Sequence, residues 1–354
     1  MNTRLSIRIG ITLAVLLPFV AYTAGYLNWP FLGRLENLAY DARLRLTMPE
    51  TIDSQVVVVD IDERSLATEG QWPWPRGRLA ELTDRLFETY QIRALGFDIL
   101  FAEADRSAEL SLLDQLAESP AARESGFSDE LERMRFELDQ DRIFAESLRD
   151  RPTVLGYVFR SRLAEDEPVV LGILPQPLLK PGQHNTHISF DEPDGYTGIL
   201  PALASAATAG GFIENDTFDS NGVVRRVAVL RRYDDALYES FALALTRVAL
   251  GEPELGFEFY HGDDGPKDGL DLEWLRLGGY QIPVDEKVTA LVPYRGGHYS
   301  FPYVSATDVL NGSADAGVLS DAIVLVGTSS PGLNDLRPTP VGQLFTGVEI
   351  HANI

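Results

Sequence analysis

An uncharged stretch near the amino terminus constrains the fold of this sequence more than any other feature. No charged residue occurs between positions 9 and 33. The apolar part, residues 9–27, would be roughly 28 Å long as an α-helix, close to the thickness of the hydrocarbon core of a bilayer. Arg4 and Arg8 precede it, and basic residues favour the cytoplasmic side of a membrane. The pattern predicts an N-terminal transmembrane helix whose carboxyl end faces away from the cytoplasm.

Two other interpretations of this stretch stay open. A cleaved signal peptide also begins with basic residues, but it needs a shorter apolar run and small residues around the cleavage site, and Tyr22 and Tyr26 interrupt such a pattern. The other alternative is a helix buried in a soluble domain. We favour an uncleaved anchor in the inner (cell) membrane. Residues 1–34 would then be a cytoplasmic stub and single-pass anchor, and residues 35–354 an extracytoplasmic domain.

Runs of apolar residues predict the fold class of the remainder. Residues 55–61 (QVVVVDI) and 94–101 (ALGFDILF) are continuous apolar runs typical of fully buried strands, with leucines at helical spacing between them. Strand, helix and strand in this order predict a βαβ unit with a parallel pair. We therefore predict an α/β fold with a mixed, partly parallel sheet and flanking helices after the transmembrane helix. Further strands are predicted at 153–159, 223–230, 290–294 and 322–327, and helices at 35–46 and 240–250.

Charge excludes one class of function and explains one segment. The formal net charge is −23, whereas nucleic-acid binding relies on clustered Lys and Arg, so we predict no nucleic-acid partner. Residues 101–150 hold fourteen Asp or Glu against six Lys or Arg, which predicts an acidic, solvated helical insertion. The chain contains no cysteine. Disulfides and thiolate zinc sites are therefore excluded.

The acidic end of the first strand allows one enzymatic hypothesis. The sequence VVVVDID, with Asp60 and Asp62, resembles the first motif of haloacid-dehalogenase phosphatases, in which one Asp is the nucleophile and metal ligand and the other the acid–base group. That motif continues with Gly and Thr, whereas Glu63 and Arg64 follow here. A metal-dependent phosphatase is therefore only a remote alternative.

Other motifs do not predict a metal or a cofactor. Asp219, Asn221 and Gly222 resemble the middle of an EF-hand loop, but the twelfth position is Ala228 where a bidentate Glu is needed, so a turn is the better interpretation. The pair His184 and His187 lies among Pro, Gly and Asn and is typical of a surface loop. The sequence has neither a P-loop nor a Gly-x-Ser-x-Gly elbow. We predict no metal, no cofactor and no catalytic residue in this chain.

Several separated motifs occur in a characteristic order along the chain. They are YDARLR from Tyr40, VVVVDIDERSL, GQWPWPR, ALGFDILFAEAD, NGVVRRV from Asn221, IVLVGTSSPGLNDLRPTP and GVEIHAN. Together these motifs resemble the CHASE type-2 (CHASE2) extracellular sensor domains of bacterial cyclases and sensor kinases. The similarity extends over nearly everything after the predicted anchor.

The resemblance implies a sensory, non-enzymatic region of a transmembrane signalling protein. Further membrane helices and a cytoplasmic output domain would lie beyond Ile354, the output being a class III adenylate or guanylate cyclase. The sensor of a Ser/Thr or histidine kinase, or an anchored periplasmic binding module, is the alternative. Because class III cyclases act as dimers, the resemblance also implies a homodimer. The implied partners are the membrane and an unknown small-molecule or protein signal.

Four residues form the predicted ligand site. Ligands of open α/β sheets bind at the carboxyl ends of the strands, and we expect Asp62, Trp74, Arg76 and Asp98 to line a cleft there, where aromatic faces and a few charged groups suit recognition. In the competing interpretation, the tryptophans pack a rigid loop, and Arg76 and Asp98 form a structural clamp.

Overall fold

The chain consists of two compact units, Met1–Met48 and Pro49–Ile354. The computed structural model describes residues 3–23, 30–53, 55–105, 108–117, 127–160, 169–182, 188, 190–214, 222–259, 272–285, 287–330 and 336–354.

The first unit contains two helices, α1 (Thr3–Thr23) and α2 (Pro30–Thr47), and α1 contains Pro18. Helix α2 includes the amphipathic helix predicted for residues 35–46. Within the described ranges, no helix is long and apolar enough to cross a membrane. The transmembrane helix predicted for residues 9–27 therefore lacks structural support.

The second unit combines strands and short helices around one large sheet. Its strands are β1 (Val56–Asp60), β2 (Ala94–Leu100), β3 (Thr153–Arg160), β4 (Val170–Leu171), β5 (Gly195–Thr197), β6 (Ala209–Phe212), β7 (Arg226–Ala228), β8 (Leu230–Tyr233), β9 (Ala236–Glu239), β10 (Leu255–Phe259), β11 (Leu272–Leu277), β12 (Tyr280–Pro283), β13 (Thr289–Leu291), β14 (Tyr303–Ser305), β15 (Ile323–Gly327), β16 (Leu336–Thr339) and β17 (Gly342–Thr346). Its helices are α3 (Glu63–Glu69), α4 (Arg76–Asp84), α5 (Ala108–Ala117), α6 (Phe127–Leu138), α7 (Gln140–Leu148), α8 (Pro201–Ala206), α9 (Phe241–Ala249), α10 (Ala306–Leu310), α11 (Ala316–Leu319) and α12 (Gly347–Asn353), and a π-helical turn, Arg85–Thr89, follows α4.

The large sheet has the order β14-β1-β15-β2-β3-β5-β4, and β6 also pairs with β3. Six strands of this sheet run parallel to one another, namely β14, β1, β15, β2, β3 and β6. Strand β5 is antiparallel to β3. This confirms the predicted mixed, partly parallel α/β sheet. The expected pairing of β1 with β2 is wrong, however, because β15 lies between them, with Val324 opposite both Val57 and Leu95.

The central strands are buried on both faces, which gives three layers. Val57 and Val59 of β1 pack with α4 and α7 on one face, where Leu79 and Phe144 are fully buried. The alternate residue Val58 joins the opposite cluster with α9 and α12. Continuous apolar runs are typical of such doubly covered parallel strands.

A second, smaller core lies under short antiparallel strands. Strands β8 and β9 form a hairpin, β10, β11 and β12 form a three-stranded sheet, and β13 pairs with β7. The cluster includes Leu230, Leu243 and Leu275. The strand predicted for residues 223–230 is therefore divided between β7 and β8, because the chain changes partner within the run.

The described parts of the acidic segment 101–150 are mainly helical, and one of their helices is buried. It contains α5, α6 and α7, and the last of these packs against the large sheet. Phe144 and Leu148 of α7 are completely buried. The predicted helical character is therefore confirmed for α7, whereas its predicted solvation is wrong.

Candidate functional site

A cleft of about 1060 Å³ opens at the carboxyl ends of the parallel strands. Its walls come from residues just at or after β1, β2, β3, β6 and β15. Ligands of open α/β sheets bind at this edge, so the fold places the cleft where the sequence predicted a site. Its lining includes Ile61, Asp98, Val158, Ile213, Glu214 and Thr328.

One wall of the cleft is the tryptophan loop, residues 70–75, between α3 and α4. Trp74 is 2% exposed, and its indole Nε1 donates a 2.8 Å hydrogen bond to the carbonyl oxygen of Gly70. The rings of Trp72 and Trp74 meet edge to face, with centroids 5.9 Å apart. Both side chains line the cleft, so the loop presents an aromatic surface that its own packing holds in place.

Arg76 lines the cleft but does not pair with Asp98. Its Nε lies 3.4 Å from Asp141 Oδ1 of α7, and its guanidinium lies over the ring of Phe101, 4.6 Å from the centroid. The backbone N–H of Arg76 donates to Asp105 Oδ2 at 2.8 Å. Burial lowers the pKa of Arg76, and Asp141 opposes that shift. The clamp between Arg76 and Asp98 in the competing interpretation is therefore wrong, because Arg76 pairs with Asp141 instead.

Asp98 lies near the end of β2 and lines the cleft. Its side chain is 7% exposed, and no described residue donates a hydrogen bond to it. The nearest basic group is His351 of α12, whose Nε2 lies 3.9 Å from Asp98 Oδ1. Burial raises the pKa of Asp98 to about 7, so near neutral pH the carboxyl exists in both protonation states.

Glu214, two residues after β6, is a second buried carboxyl on the cleft. It was not identified from the sequence. Its Oε1 accepts hydrogen bonds from Arg231 Nη1 at 3.0 Å and from the backbone N–H of Phe159. Its Oε2 is buried and has no hydrogen-bond partner among the described residues. Burial raises the pKa of Glu214 to about 7, although Arg231 acts in the opposite direction. The short strand β6 before it carries two glycines and gives almost no strand signal.

His351 joins the two acidic positions and was also missed. Its Nε2 lies 3.1 Å from the carbonyl oxygen of Ile213, next to Glu214, and 3.9 Å from Asp98. The side chain is 3% exposed. The motif GVEIHAN was recognised as a family feature, but nothing local to it indicates that its histidine reaches the ends of β2 and β6.

Asp62 does not line the cleft. Its Oδ1 accepts hydrogen bonds from the N–H of Ser65 at 2.7 Å and the hydroxyl of Ser305 at 2.9 Å, so it caps α3. Asp60 accepts from both the N–H and the hydroxyl of Ser329. These contacts give both carboxylates of the phosphatase-like motif a structural role.

The remaining sequence candidates are distributed as follows. Of the four predicted site residues, the structure brings Trp74, Arg76 and Asp98 to one cleft. His184, His187, Asp219 and Asn221 lie outside the described residues. Within the described part of the chain, no group of three or more His, Asp or Glu residues is arranged to hold a metal ion.

The cleft carries groups that suit ligand recognition. These groups are the buried acceptors at its floor, the aromatic wall and the arginines at its margin. His351 lies 3.9 Å from Asp98, within the packing of α12.

Comparison with known proteins gives a match to one protein family. The profile of the CHASE2 domain matches residues 11–354. No curated protein and no solved structure matches the chain.

Proposed function

The chain belongs to the CHASE2 domain family, whose members are extracellular sensory domains, and on that premise we propose that it is the signal-input region of a membrane-spanning signalling protein. The match over residues 11–354 carries this proposal. The cleft at the carboxyl edge of the sheet would receive the signal, as a small molecule in contact with Trp74, Arg76 and Asp98.

The membrane setting rests on the amino-terminal sequence. The uncharged stretch 9–33 follows Arg4 and Arg8, and this charge order favours an exterior location for the segments that follow it. An anchor here would hold the second unit outside the cytoplasm, where an extracellular sensory domain acts.

The route from the cleft to the output would be α12. His351 of this helix lies against Asp98 and against the carbonyl oxygen of Ile213. A ligand that changes the charge or position of Asp98 therefore acts directly on a helix packed under the sheet. Such a contact can transmit a signal if ligand binds two arrangements of α12 with different affinity.

The output is proposed from the family resemblance as a class III adenylate or guanylate cyclase, with the whole protein acting as a homodimer. In that arrangement two sensory domains would control the approach of two catalytic domains, which together form one active site.

The location is tested with alkaline phosphatase, an enzyme that becomes active only where its disulfides form. A fusion after Ile354 should show phosphatase activity, whereas the same fusion lacking residues 3–23 should not. An intact full-length fusion without activity would contradict the extracytoplasmic location.

The output is tested separately by expressing the gene that encodes this chain in a cyclase-deficient bacterial strain. Accumulation of cyclic nucleotide is expected. If none accumulates although the protein is present in the membrane, the cyclase proposal fails, and the sensory assignment is unaffected.

A further inference from the structure

We propose that the cleft binds a small organic cation, with its ammonium group against Asp98 and its apolar body against the tryptophan loop. The inference rests on the proposed function, because it names the chemistry of the signal that the same cleft would receive.

Asp98 is the residue that requires such a ligand. It is buried, lines the cleft and receives no hydrogen bond from any described residue. A buried carboxylate without donors is unfavourable, and it becomes favourable when a partner supplies charge and hydrogen bonds. An ammonium group supplies both, with up to three N–H donors.

Glu214 adds a second acceptor at the same place. The contacts of His351 Nε2 with the Ile213 carbonyl oxygen and with Asp98 show that the ends of β2 and β6 lie close together. Glu214 Oε2 is buried and has no hydrogen-bond partner among the described residues. Arg231 forms ion pairs with both Glu214 and Asp191, at 3.0 and 3.2 Å, whereas the basic group beside Asp98 is His351 at 3.9 Å. Asp98 is therefore the carboxyl of the cleft floor that the protein compensates least, and it is the place for a single cation.

The walls favour an organic cation over a metal ion. Trp72, Trp74 and Phe159 line the cleft, and aromatic faces attract ammonium groups while they bury an apolar body. In the described part of the chain, the carboxylates are not grouped as metal ligands.

The arginines of the cleft do not oppose this assignment. Arg160 and Arg337 are exposed, so water and salt screen their charges. Arg76 is paired with Asp141. The buried Asp98 therefore dominates the interaction with a charge that enters the floor of the cleft. The other charged groups at the cleft are Glu103, Asp105, Glu214 with its partner Arg231, and His351.

The test compares three probes of similar size on the full chain by calorimetry. The probes are 2-phenylethylamine, its neutral isostere 2-phenylethanol, and the anion 3-phenylpropionate. At pH 8 the amine should bind at least tenfold more tightly than the other two. Its affinity should fall about tenfold between pH 8 and pH 6, because the ionised fraction of a carboxyl with a pKa of about 7 falls about tenfold. The alcohol should bind equally at both pH values.

Two variants separate the role of Asp98 from general charge. Asp98→Asn keeps the size of the side chain and removes its charge, and it should abolish the preference for the amine. Glu103→Gln removes a negative charge from the exposed margin of the same cleft and should change the affinity less than twofold. If Asp98→Asn does not fold, the pH dependence of the wild-type chain still decides the question.

Each result decides the inference. Equal binding of amine and alcohol, tighter binding of the anion, amine affinity that is independent of pH, or no binding of the amine at millimolar concentration would overturn it. Tighter binding of the alcohol or the anion would leave the cleft as a ligand site and hence leave the proposed function intact. The proposed function itself fails only through the phosphatase fusion.

Discussion

Removal of the Glu349 carboxylate should be among the most damaging single changes in the chain. Glu349, in the first turn of α12, is completely buried. Its Oε1 accepts a 2.9 Å hydrogen bond from the N–H of Ser300, and its Oε2 lies 3.0 Å from the hydroxyl of Tyr303 and 2.6 Å from His298 Nδ1. One side chain therefore joins α12 to β14 and to the segment before it.

The expected cost follows from what Glu349→Ala leaves behind. Hydrogen bonds to charged groups contribute about 1.5–3 kcal/mol each, offset by the desolvation of the carboxylate. Removal of the carboxylate takes this acceptor from three donors, of which the Tyr303 hydroxyl keeps Thr346 Oγ1 at 3.2 Å as an alternative. We therefore expect a loss of about 3–5 kcal/mol in the free energy of unfolding. Glu349→Gln keeps one acceptor oxygen and should cost about 1–3 kcal/mol.

The assay is urea unfolding of the full chain, followed by tryptophan fluorescence. The matched control is Glu63→Ala, which removes the same side chain from the first turn of α3, where it is exposed. It should cost less than about 1 kcal/mol. Tyr303→Phe removes one of the three donors, and a double-mutant cycle with Glu349→Ala should give a coupling energy of about 1 kcal/mol or more. A cost for Glu349→Ala that equals that of Glu63→Ala would refute the described network.

Three further predictions concern packing, charge and surface pairs. Gly211→Ala should destabilise the chain by about 1–3 kcal/mol or more, because an added Cβ would lie 2.4 Å from the Cα of Phe241, whereas Gly279→Ala, with open space around it, should change urea stability little. Burial raises the pKa of Asp98 to about 7 from an ordinary value near 4. The loss of folding stability caused by the buried charge is therefore absent below pH 4 and complete above pH 7. Asp98→Asn should stabilise the chain against urea more at pH 8 than at pH 5, by roughly 2–3 kcal/mol. Arg93→Ala breaks an exposed pair with Asp321 and should cost under about 1 kcal/mol in the same assay, and a larger loss would contradict its surface setting.

Long apolar runs could be interpreted correctly from the sequence because burial on both faces leaves a local signal. The strand predicted at residues 322–327 is observed as β15 (Ile323–Gly327), and the helix predicted at residues 240–250 as α9 (Phe241–Ala249). The position of β15 between β1 and β2 could not be predicted in the same way. The position of a strand in a sheet depends on its pairing with residues that are distant along the chain. The spacing of apolar residues predicts the type of an element but not which strands are neighbours.

The site shows the same division between local and distant information. Asp98 was found because it lies near the end of an apolar strand, and Trp74 and Arg76 because they belong to the Pro- and Gly-containing motif GQWPWPR. Asp62 was misplaced because a carboxylate after a strand predicts a ligand site and equally an N-cap, and the sequence Asp-Glu-Arg-Ser suits the cap.

No sequence pattern around Glu214 or His351 indicated a site. Yet Glu214 lines the cleft, and His351 lies 3.9 Å from Asp98. A carboxyl on an isolated strand end would be hydrated, keep an ordinary pKa and bind cations weakly. Asp98 differs because β3 and β6 on one side and α12 below remove it from water. The same packing brings His351 of α12 within 3.9 Å of its Oδ1. Burial of the carboxyl and its contact with α12 therefore have one structural cause, and under the proposed function a ligand at Asp98 would act on this helix through His351.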